Sequence, residues 1–470
     1  MSTPRPAMTG TLIVGGGITG LAAAERLAEA GAPFVLVESS PWLGGKIATE
    51  HVDGLVIEGG PDCFLAAKPA GLALARSLGL TERLRGTDPS HRRTYVRRGG
   101  RLHELPEGLT GLVPSRIAPL LKTRVLSPLG RLRAGCEVLL PGRSSANDES
   151  IAQFVTRRFG AEAYDWLVEP LLSGIFAGDG SALSLAATFP QLASLEREQG
   201  SVLRAMLRRS PPRPTGSSNV PTGFVTPAGG LGELVDALMA RLPIGAVRCG
   251  TSVTAIDTQG AAYRIALGDG TSIVARRLLL ATPAHASARL LEALDPALAR
   301  ELAAIPFVST ATVSLAFPTS AIPRPLDGYG YVSPRAEGGP IVACTWTSNK
   351  FPERVPAGSV LVRFFIGRAG DEASVSAPDD RLVDLARHEL AQLFSVTAAP
   401  TLTRVFRWPR SIPQYVVGHL ARLERISTLA AGHPGLLLAG ASYRGVGIPD
   451  CIASGWAAAQ AALDSMDAAA

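Results

Sequence analysis

The stretch Thr11–Glu38, TLIVGGGITGLAAAERLAEAGAPFVLVE, decides the fold of this chain. Thr11–Gly15 is a short apolar run of strand type. Ile18–Ala30 carries apolar residues at helical spacing, and Gly31 is placed to end that helix. Phe34–Val37 is a second buried strand that closes on Glu38. The three pieces make one βαβ unit, and at its first turn lies Gly15-Gly16-Gly17-Ile18-Thr19-Gly20, a G-x-G-x-x-G pattern. Each glycine has a separate task. Gly15 permits the tight turn, Gly17 lets the backbone approach a pyrophosphate, and Gly20 lets the helix pack close to the strand. The helix N-terminus adds free N–H groups and partial positive charge, and Glu38 is placed to accept hydrogen bonds from a ribose hydroxyl. This is a dinucleotide-binding unit.

Downstream features extend the cofactor. Glu38-Ser39-Ser40-Pro41-Trp42-Leu43-Gly44-Gly45-Lys46 adds a second glycine pair and a cation, which suits a long, extended ligand. Near the other end, Leu436–Gly440 reads as a strand entering Gly445-Val446-Gly447-Ile448-Pro449-Asp450 and a helix. One N-terminal and one C-terminal segment on a single elongated cofactor fits FAD held across a discontinuous domain.

The whole chain has 470 residues, 46% of them apolar, enough for two or three domains and too much core for a disordered polymer. Fifty Gly and 36 Pro show no three-residue period, which excludes collagen. The formal charge is +6, and the excess is local: Glu82–Arg133 holds twelve Arg or Lys against four acids. Aromatic content of 6% and the lack of finger or RNP spacing give nucleic acid no support. Five scattered cysteines, without a C-x-x-C pair, fit a reducing compartment. The first residues lack the apolar core of a signal peptide, and the uncharged run Ile305–Pro323 reads as a strand with flanking turns, so a cytoplasmic chain is expected. Leu109–Leu140, Leu-rich and basic, suits a membrane interface and equally an ordinary amphipathic helical subdomain. Its prolines predict short helices. A helix is expected near Leu231–Leu242, and strands over Val253–Ile256, Tyr263–Leu267, Leu278–Ala281 and Phe406–Arg410. Histidines show no metal-ligand spacing, and no paired carboxylates or nucleophile elbow appear, so no metal is expected and no conventional catalytic set is named. That suits a flavin enzyme, whose cofactor carries the hard step.

Several stretches resemble one family: G-G-G-I-T-G-L, V-E-S-S-x-x-L-G-G, Glu58–Asp62 (E-G-G-P-D), Glu169–Asp179 (E-P-L-L-S-G-I-F-A-G-D), Ile412–His419 and Gly440–Cys451. Together they are similar to the FAD-dependent porphyrinogen oxidases of haem synthesis, which include protoporphyrinogen oxidase and bacterial coproporphyrinogen III oxidase. The first two motifs occur throughout amine-oxidase-like flavoproteins; the others are more specific. The resemblance implies an α/β and α+β fold: a discontinuous Rossmann-type FAD domain (1–85, 224–285, 405–470), a mixed-sheet substrate domain (86–105, 286–404), a helical, membrane-associated subdomain (106–207) and a linker (208–223).

It also implies roles. Gly15 to Gly20 hold the pyrophosphate, Glu38 and Ser39 the ribose end, and Gly45 and Lys46 sit near the ribityl chain. Gly60-Pro61-Asp62-Cys63 line the isoalloxazine, where some relatives carry Arg at the Asp62 position. Val253 meets the adenine end, Val446-Gly447-Ile448 reach the flavin head, and Trp408 packs beside the cofactor or is a plain core aromatic. Arg92 and Arg93 are placed toward a propionate, which a guanidinium can grip bidentately. Gly174, Tyr329 and Phe365 match positions that sandwich the tetrapyrrole; Tyr329 and Phe365 equally suit core strands. The implied reaction takes a porphyrinogen to the porphyrin by three two-electron steps, with oxygen as acceptor and peroxide as product. Implied partners are the tetrapyrrole, oxygen, a membrane surface on the inner face of the cell, and ferrochelatase or another haem-synthesis enzyme. An amine oxidase, a carotenoid desaturase and a non-catalytic FAD-binding scaffold stay open from sequence.

Overall fold

Strand Ala7–Val14 lies at the centre of the first sheet, and the helix Ile18–Glu29 follows it directly. A computed structural model of the chain describes residues 7–106, 109, 110, 113, 114, 119, 122–143, 147–208 and 223–467. Phe34–Val37 and Val247–Arg248 continue the sheet on one side in parallel. On the other side runs Ser272–Leu280, whose outer edge is shared between antiparallel Ala262–Leu267 and parallel Leu436–Leu438. Val253–Gln259 completes the sheet. Side chains alternate across it as a doubly covered sheet requires. Ile13, Leu36 and Leu279 enter a core with helices Ile18–Glu29 and Ile448–Asp467, while Leu12, Val14, Leu278 and Leu280 enter a second core beneath. The two helices cross closely at Gly455, where a Cβ would stand 2.2 Å from the Thr19 carbonyl oxygen.

A second seven-stranded sheet is mostly antiparallel, in the order Leu402–Pro413, Phe307–Pro318, Ser359–Ile366, Ile341–Trp346, Gly330–Val332, Thr94–Arg98, Arg101–Glu104. One face is apolar, with Val313, Phe317, Trp346, Val362 and Phe364 packed on helix Asp379–Phe394. Residues 405–413, expected in the dinucleotide domain, are instead the edge strand of this sheet, because Leu402–Pro413 pairs with Phe307–Pro318 along nearly its full length.

Helices between 128 and 208 form a third unit with its own core. At its centre Arg158 and Glu137 are both fully buried and paired, and Arg158 Nε donates to Glu137 Oε1 at 2.7 Å. Glu137 also accepts from the Val202 and Leu203 N–H groups at 2.9 and 3.0 Å, capping helix Val202–Arg208. In the Leu109–Leu140 stretch the described part holds a two-residue ladder (Leu109–Thr110 with Val113–Pro114), helix Pro128–Gly135 and a 3₁₀ turn Cys136–Leu139. The expected linker lies, at 209–222, outside the described residues. The helix expected to 242 stops at Met239.

Candidate active site

The glycine loop has the shape its sequence demands. Gly15 has φ +108°, which a side chain would strain. A Cβ on Gly20 would stand 1.9 Å from the Gly15 carbonyl oxygen, so the helix cannot sit this close to the strand with any other residue. At Gly17, by contrast, a Cβ would meet no protein atom within 4 Å. The loop therefore opens onto a void at Gly17, at the N-terminus of helix Ile18–Glu29, which is where a pyrophosphate fits. Gly45, with φ +60°, borders that void 3.2 Å from the Gly17 Cα, measured from its would-be Cβ.

Glu38 is fixed in advance. Its carboxylate accepts from Gly16 N at 2.6 Å, Ser40 N at 2.7 Å and the exposed Ser39 hydroxyl at 3.1 Å. Val253 lies close by, since Thr251 N donates to the Glu38 carbonyl at 2.9 Å. Ile18 and Thr19 face inward: Thr19 is buried and packs toward Gly440 and Gly455, so only the backbone of these two helix-initiating residues is left for a ligand. These features fit the adenine–ribose–pyrophosphate half of FAD.

Glu58–Cys63 runs from the hairpin Thr49–Val52/Leu55–Glu58 between the two sheets and is fastened from both sides. Glu58 accepts from Leu231 N and from Thr49 Oγ1, each at 2.7 Å, and lies 3.3 Å from Arg354. Burial pushes the Glu58 carboxyl up against the opposing pull of Arg354. The Gly59 carbonyl accepts from Thr312 Oγ1 at 2.9 Å and from Trp408 Nε1 at 2.8 Å. Trp408 is thus neither loose packing nor plain core: its indole clamps the motif. Arg363 donates to the carbonyls of Glu58 and Gly60 at 2.9 and 2.6 Å. Gly60 has no room for a side chain, because its Cβ would lie 1.9 Å from the Lys46 carbonyl oxygen. Lys46 itself donates to the Ser411 carbonyl and so ties the second glycine pair to the second sheet; burial pushes its ammonium pKa down.

Beyond Pro61, Asp62 meets Lys350 at 2.9 Å, and Cys63 donates to Asp62 at 3.0 Å. Burial alone would raise the Asp62 pKa, but Lys350 and Arg363 overcome it and hold the carboxyl well below the usual range. Burial, reinforced by Asp62, pushes the Cys63 thiol up to about 12, which leaves it unreactive. At the C-terminal side, Gly447 N donates to Asp450 Oδ2 at 3.2 Å, and Lys68 reaches the same oxygen at 2.5 Å. Val446 packs on the helical unit, while Ile448 is buried in the first core.

The non-apolar face of the second sheet supplies a wall. Arg363 and Phe365 alternate with core-facing Phe364, and the Arg363 guanidinium stacks 4.4 Å above the Phe365 ring. Phe365 is therefore on the site side rather than in the core. Helix Glu169–Phe176 crosses the same sheet, with Gly174 leaving 3.9 Å between its would-be Cβ and Val332. Tyr329 is pinned at its edge: its hydroxyl donates to the Asp88 carbonyl at 2.7 Å, and its N–H to the Arg93 carbonyl at 2.7 Å. Arg93 is not free for a propionate, because it pairs with Asp327 at 2.7 Å and lies 3.8 Å from Glu104. Arg92, exposed and without an acidic partner among the described residues, is the remaining candidate.

Sequence reasoning missed Lys350, Thr312, Arg354 and Arg363. One signal was available for Arg363. It stands mid-strand in Ser359–Ile366 (S-V-L-V-R-F-F-I), where a lone arginine among apolar residues implies a buried, partnered cation.

Comparison with known proteins agrees with this geometry. The coproporphyrinogen III oxidase of Bacillus subtilis is 38% identical over 96% of this chain and 97% of its own. The chloroplastic protoporphyrinogen oxidase of Oryza sativa is 32% identical over 96% of this chain and 88% of its own. A crystal structure from Exiguobacterium, of a protein assigned as a protoporphyrinogen oxidase, superposes with a TM-score of 0.85 at 31% identity, covering 98% of this chain and 100% of that one. The signature described as flavin containing amine oxidoreductase matches residues 18–463. With a glycine loop open at Gly17, a match to the family signature over residues 18–463 and 38% identity along nearly the whole chain, the chain belongs to the flavin containing amine oxidoreductases and, among them, to the porphyrinogen oxidases.

Proposed function

We propose that this protein is an FAD-dependent oxidoreductase that converts a porphyrinogen to the porphyrin in haem synthesis, with coproporphyrinogen III as its substrate and oxygen as its acceptor. The observation that carries the reading is one face of the second sheet: Arg363 fastens Gly60 and stacks on Phe365, and the register sets Phe365 level with Ala343 and Val332, against which Gly174 packs. The chain that builds it is 38% identical to a coproporphyrinogen III oxidase. Identity to that relative exceeds the 32% to the rice protoporphyrinogen oxidase, which favours the four-propionate substrate.

Bound FAD supplies the hydride acceptor. The rest is done by the chain. Gly17 and Gly45 would give the pyrophosphate room, Glu38 would receive the ribose, and Gly60-Pro61-Asp62-Cys63 and Val446-Gly447 would hold the ring. Phe365 offers a flat apolar surface to a macrocycle, Gly174 keeps the helix backbone out of its way, and Arg92 offers a guanidinium to a propionate. The carboxylate at this face, Asp62, is paired with Lys350 and held ionised rather than poised as a base, and aromatisation of the macrocycle provides the driving force. Three passes complete the six-electron change.

The segments 1–85 and 224–285 with 414–470 make up the cofactor-binding part on this reading, and 286–413 with 86–105 the substrate-binding part. Among the described residues no helix is long and apolar enough to cross a membrane. Peripheral contact with the inner face of the cell membrane, and with a ferrochelatase that takes the product onward, completes the proposal. Its support is the exposure of Leu129, Leu132 and Leu139 beside Lys122 and Arg124.

The test is anaerobic mixing of FAD-loaded protein with each porphyrinogen, followed by admission of air. Loss of flavin absorbance with coproporphyrinogen III, and porphyrin fluorescence after air, is expected. Flavin that neither porphyrinogen bleaches would refute the function, and bleaching by protoporphyrinogen alone would refute the substrate.

A further inference from the structure

Charged groups around Glu58–Cys63 are not in balance. Lys350 meets Asp62, and Arg354 meets Glu58, but Arg363 meets only the carbonyls of Glu58 and Gly60. Three cations thus face two carboxylates. Arg363 Nε is buried without a partner, as are Nε and Nη1 of Arg354. A net positive charge inside a protein is costly unless something negative is brought to it.

Position decides what that could be. Lys350 and Asp62 keep 15% and 16% of their side-chain surface, so they do not lie in sealed core. Lys350 Nζ also lies 3.6 Å from Cys63 Sγ, and Arg363 stacks on Phe365 on the same side. All belong to, or touch, the segment Gly60–Cys63, which the proposed function places against the isoalloxazine ring. A flavin gains electron density on reduction, and nearby fixed cations favour that charge.

We infer that Lys350 and Arg363 are positioning residues that hold an uncompensated positive charge beside the bound flavin and raise its readiness to accept electrons, with Asp62 as the opposing charge that limits the effect. The inference rests on the proposed placement of the ring. The arrangement gives opposite roles to the two members of one ion pair, and that opposition is what can be measured.

The experiment is anaerobic redox titration of the FAD-loaded protein against reference dyes, without porphyrinogen, comparing wild type with Lys350→Met, Lys350→Arg and Asp62→Asn. At a fixed potential near the wild-type midpoint, Lys350→Met should lower the ratio of reduced to oxidised flavin by about tenfold, and Asp62→Asn should raise it by about tenfold, the order of one charge acting across a partly screened interior. Lys350→Arg should stay within about threefold of wild type. A merely structural disturbance would move the Met and Asn variants the same way. That result, or ratios unchanged in both, would overturn the inference, and unchanged flavin spectra in all variants would locate the fault in the placement of the ring. Because electrons come from the added reductant through the dye couple and not from a porphyrinogen, failure of the proposed substrate leaves this test intact.

Discussion

Replacing Gly17 and Gly20 separately by Ala should separate cofactor binding from folding. Both lie in one loop, three residues apart, yet their surroundings differ completely. At Gly20 an added Cβ would stand 1.9 Å from the Gly15 carbonyl oxygen, with the Ala281 side chain 3.4 Å away. An ordinary contact is well above 3 Å, so helix Ile18–Glu29 must move outward by more than 1 Å. That helix is wedged against Ile448–Asp467, where Gly455 already sits 2.2 Å, by its would-be Cβ, from Thr19. There is nowhere to retreat. Overpacking of this kind costs about 3 kcal/mol. At Gly17 the backbone is extended at φ −71°, which Ala adopts freely, and nothing stands within 4 Å. The apoprotein should therefore tolerate Gly17→Ala within about 0.5 kcal/mol, as at an open surface site. The methyl would instead project into the pyrophosphate space. A displacement worth about 1–3 kcal/mol there weakens FAD by roughly 5- to 150-fold. Denaturant unfolding of the apoproteins and FAD titration of each give the four numbers needed. A Gly17→Ala protein that binds FAD as tightly as wild type would refute the placement of the pyrophosphate, and an undiminished unfolding midpoint for Gly20→Ala would refute the packing argument.

Two further outcomes concern stability. Asp295 caps helix Pro296–Ala303, accepting from Ala297 N and Leu298 N at 2.9 Å, and also meets His433 at 2.9 Å; the Leu298 N–H first, then His433, hold its pKa below the usual value. Since the folded pKa is depressed, the contribution is present above about pH 4, the unfolded value, and is lost as pH falls through the folded one; Asp295→Ala should cost about 1 kcal/mol at pH 7 and less at pH 3, read by denaturant midpoints. Arg158→Met leaves Glu137 buried and charged in the helical unit, at a cost of about 3–5 kcal/mol in chemical denaturation, and a loss under 1 kcal/mol would show that Glu137 is neutralised or solvated.

Legibility followed the reach of the physics along the chain. The βαβ unit could be read because strand, turn, helix and acid lie within Thr11–Glu38, and the boundaries at Ile18, Phe34 and Val37 agree with those expected. Strand Phe307–Pro318 was legible for the same reason. Residues 405–413 were misplaced because partner choice between strands is a long-range property: the alternation of Leu402–Pro413 says that it pairs, not with which sheet. Arg93 shows the limit on the site side: its residue type suits a carboxylate, but Asp327 and Glu104, brought in by folding, pair with it.

The same limit explains the E-G-G-P-D motif, in which Glu58 does structural work. It is enclosed by Leu231 N, Thr49 and Arg354, so its work is to fasten the hairpin to the loop before helix Gly232–Met239. Gly59 and Gly60 are needed where Phe406 and the Lys46 carbonyl leave no space for a Cβ, and their carbonyls are then available to Thr312, Trp408 and Arg363. The motif is thus a strap that holds its last acid, Asp62, in a fixed pose, while the cations that give this acid its electrostatic meaning arrive from Lys350, at the end of helix Thr347–Lys350 between two strands of the second sheet, and from Arg363 in the next strand. A motif searched for alone shows the strap. The cluster of charges around Asp62 exists only once the second sheet is folded over the strap, so sequence distance, not chemical subtlety, hid it.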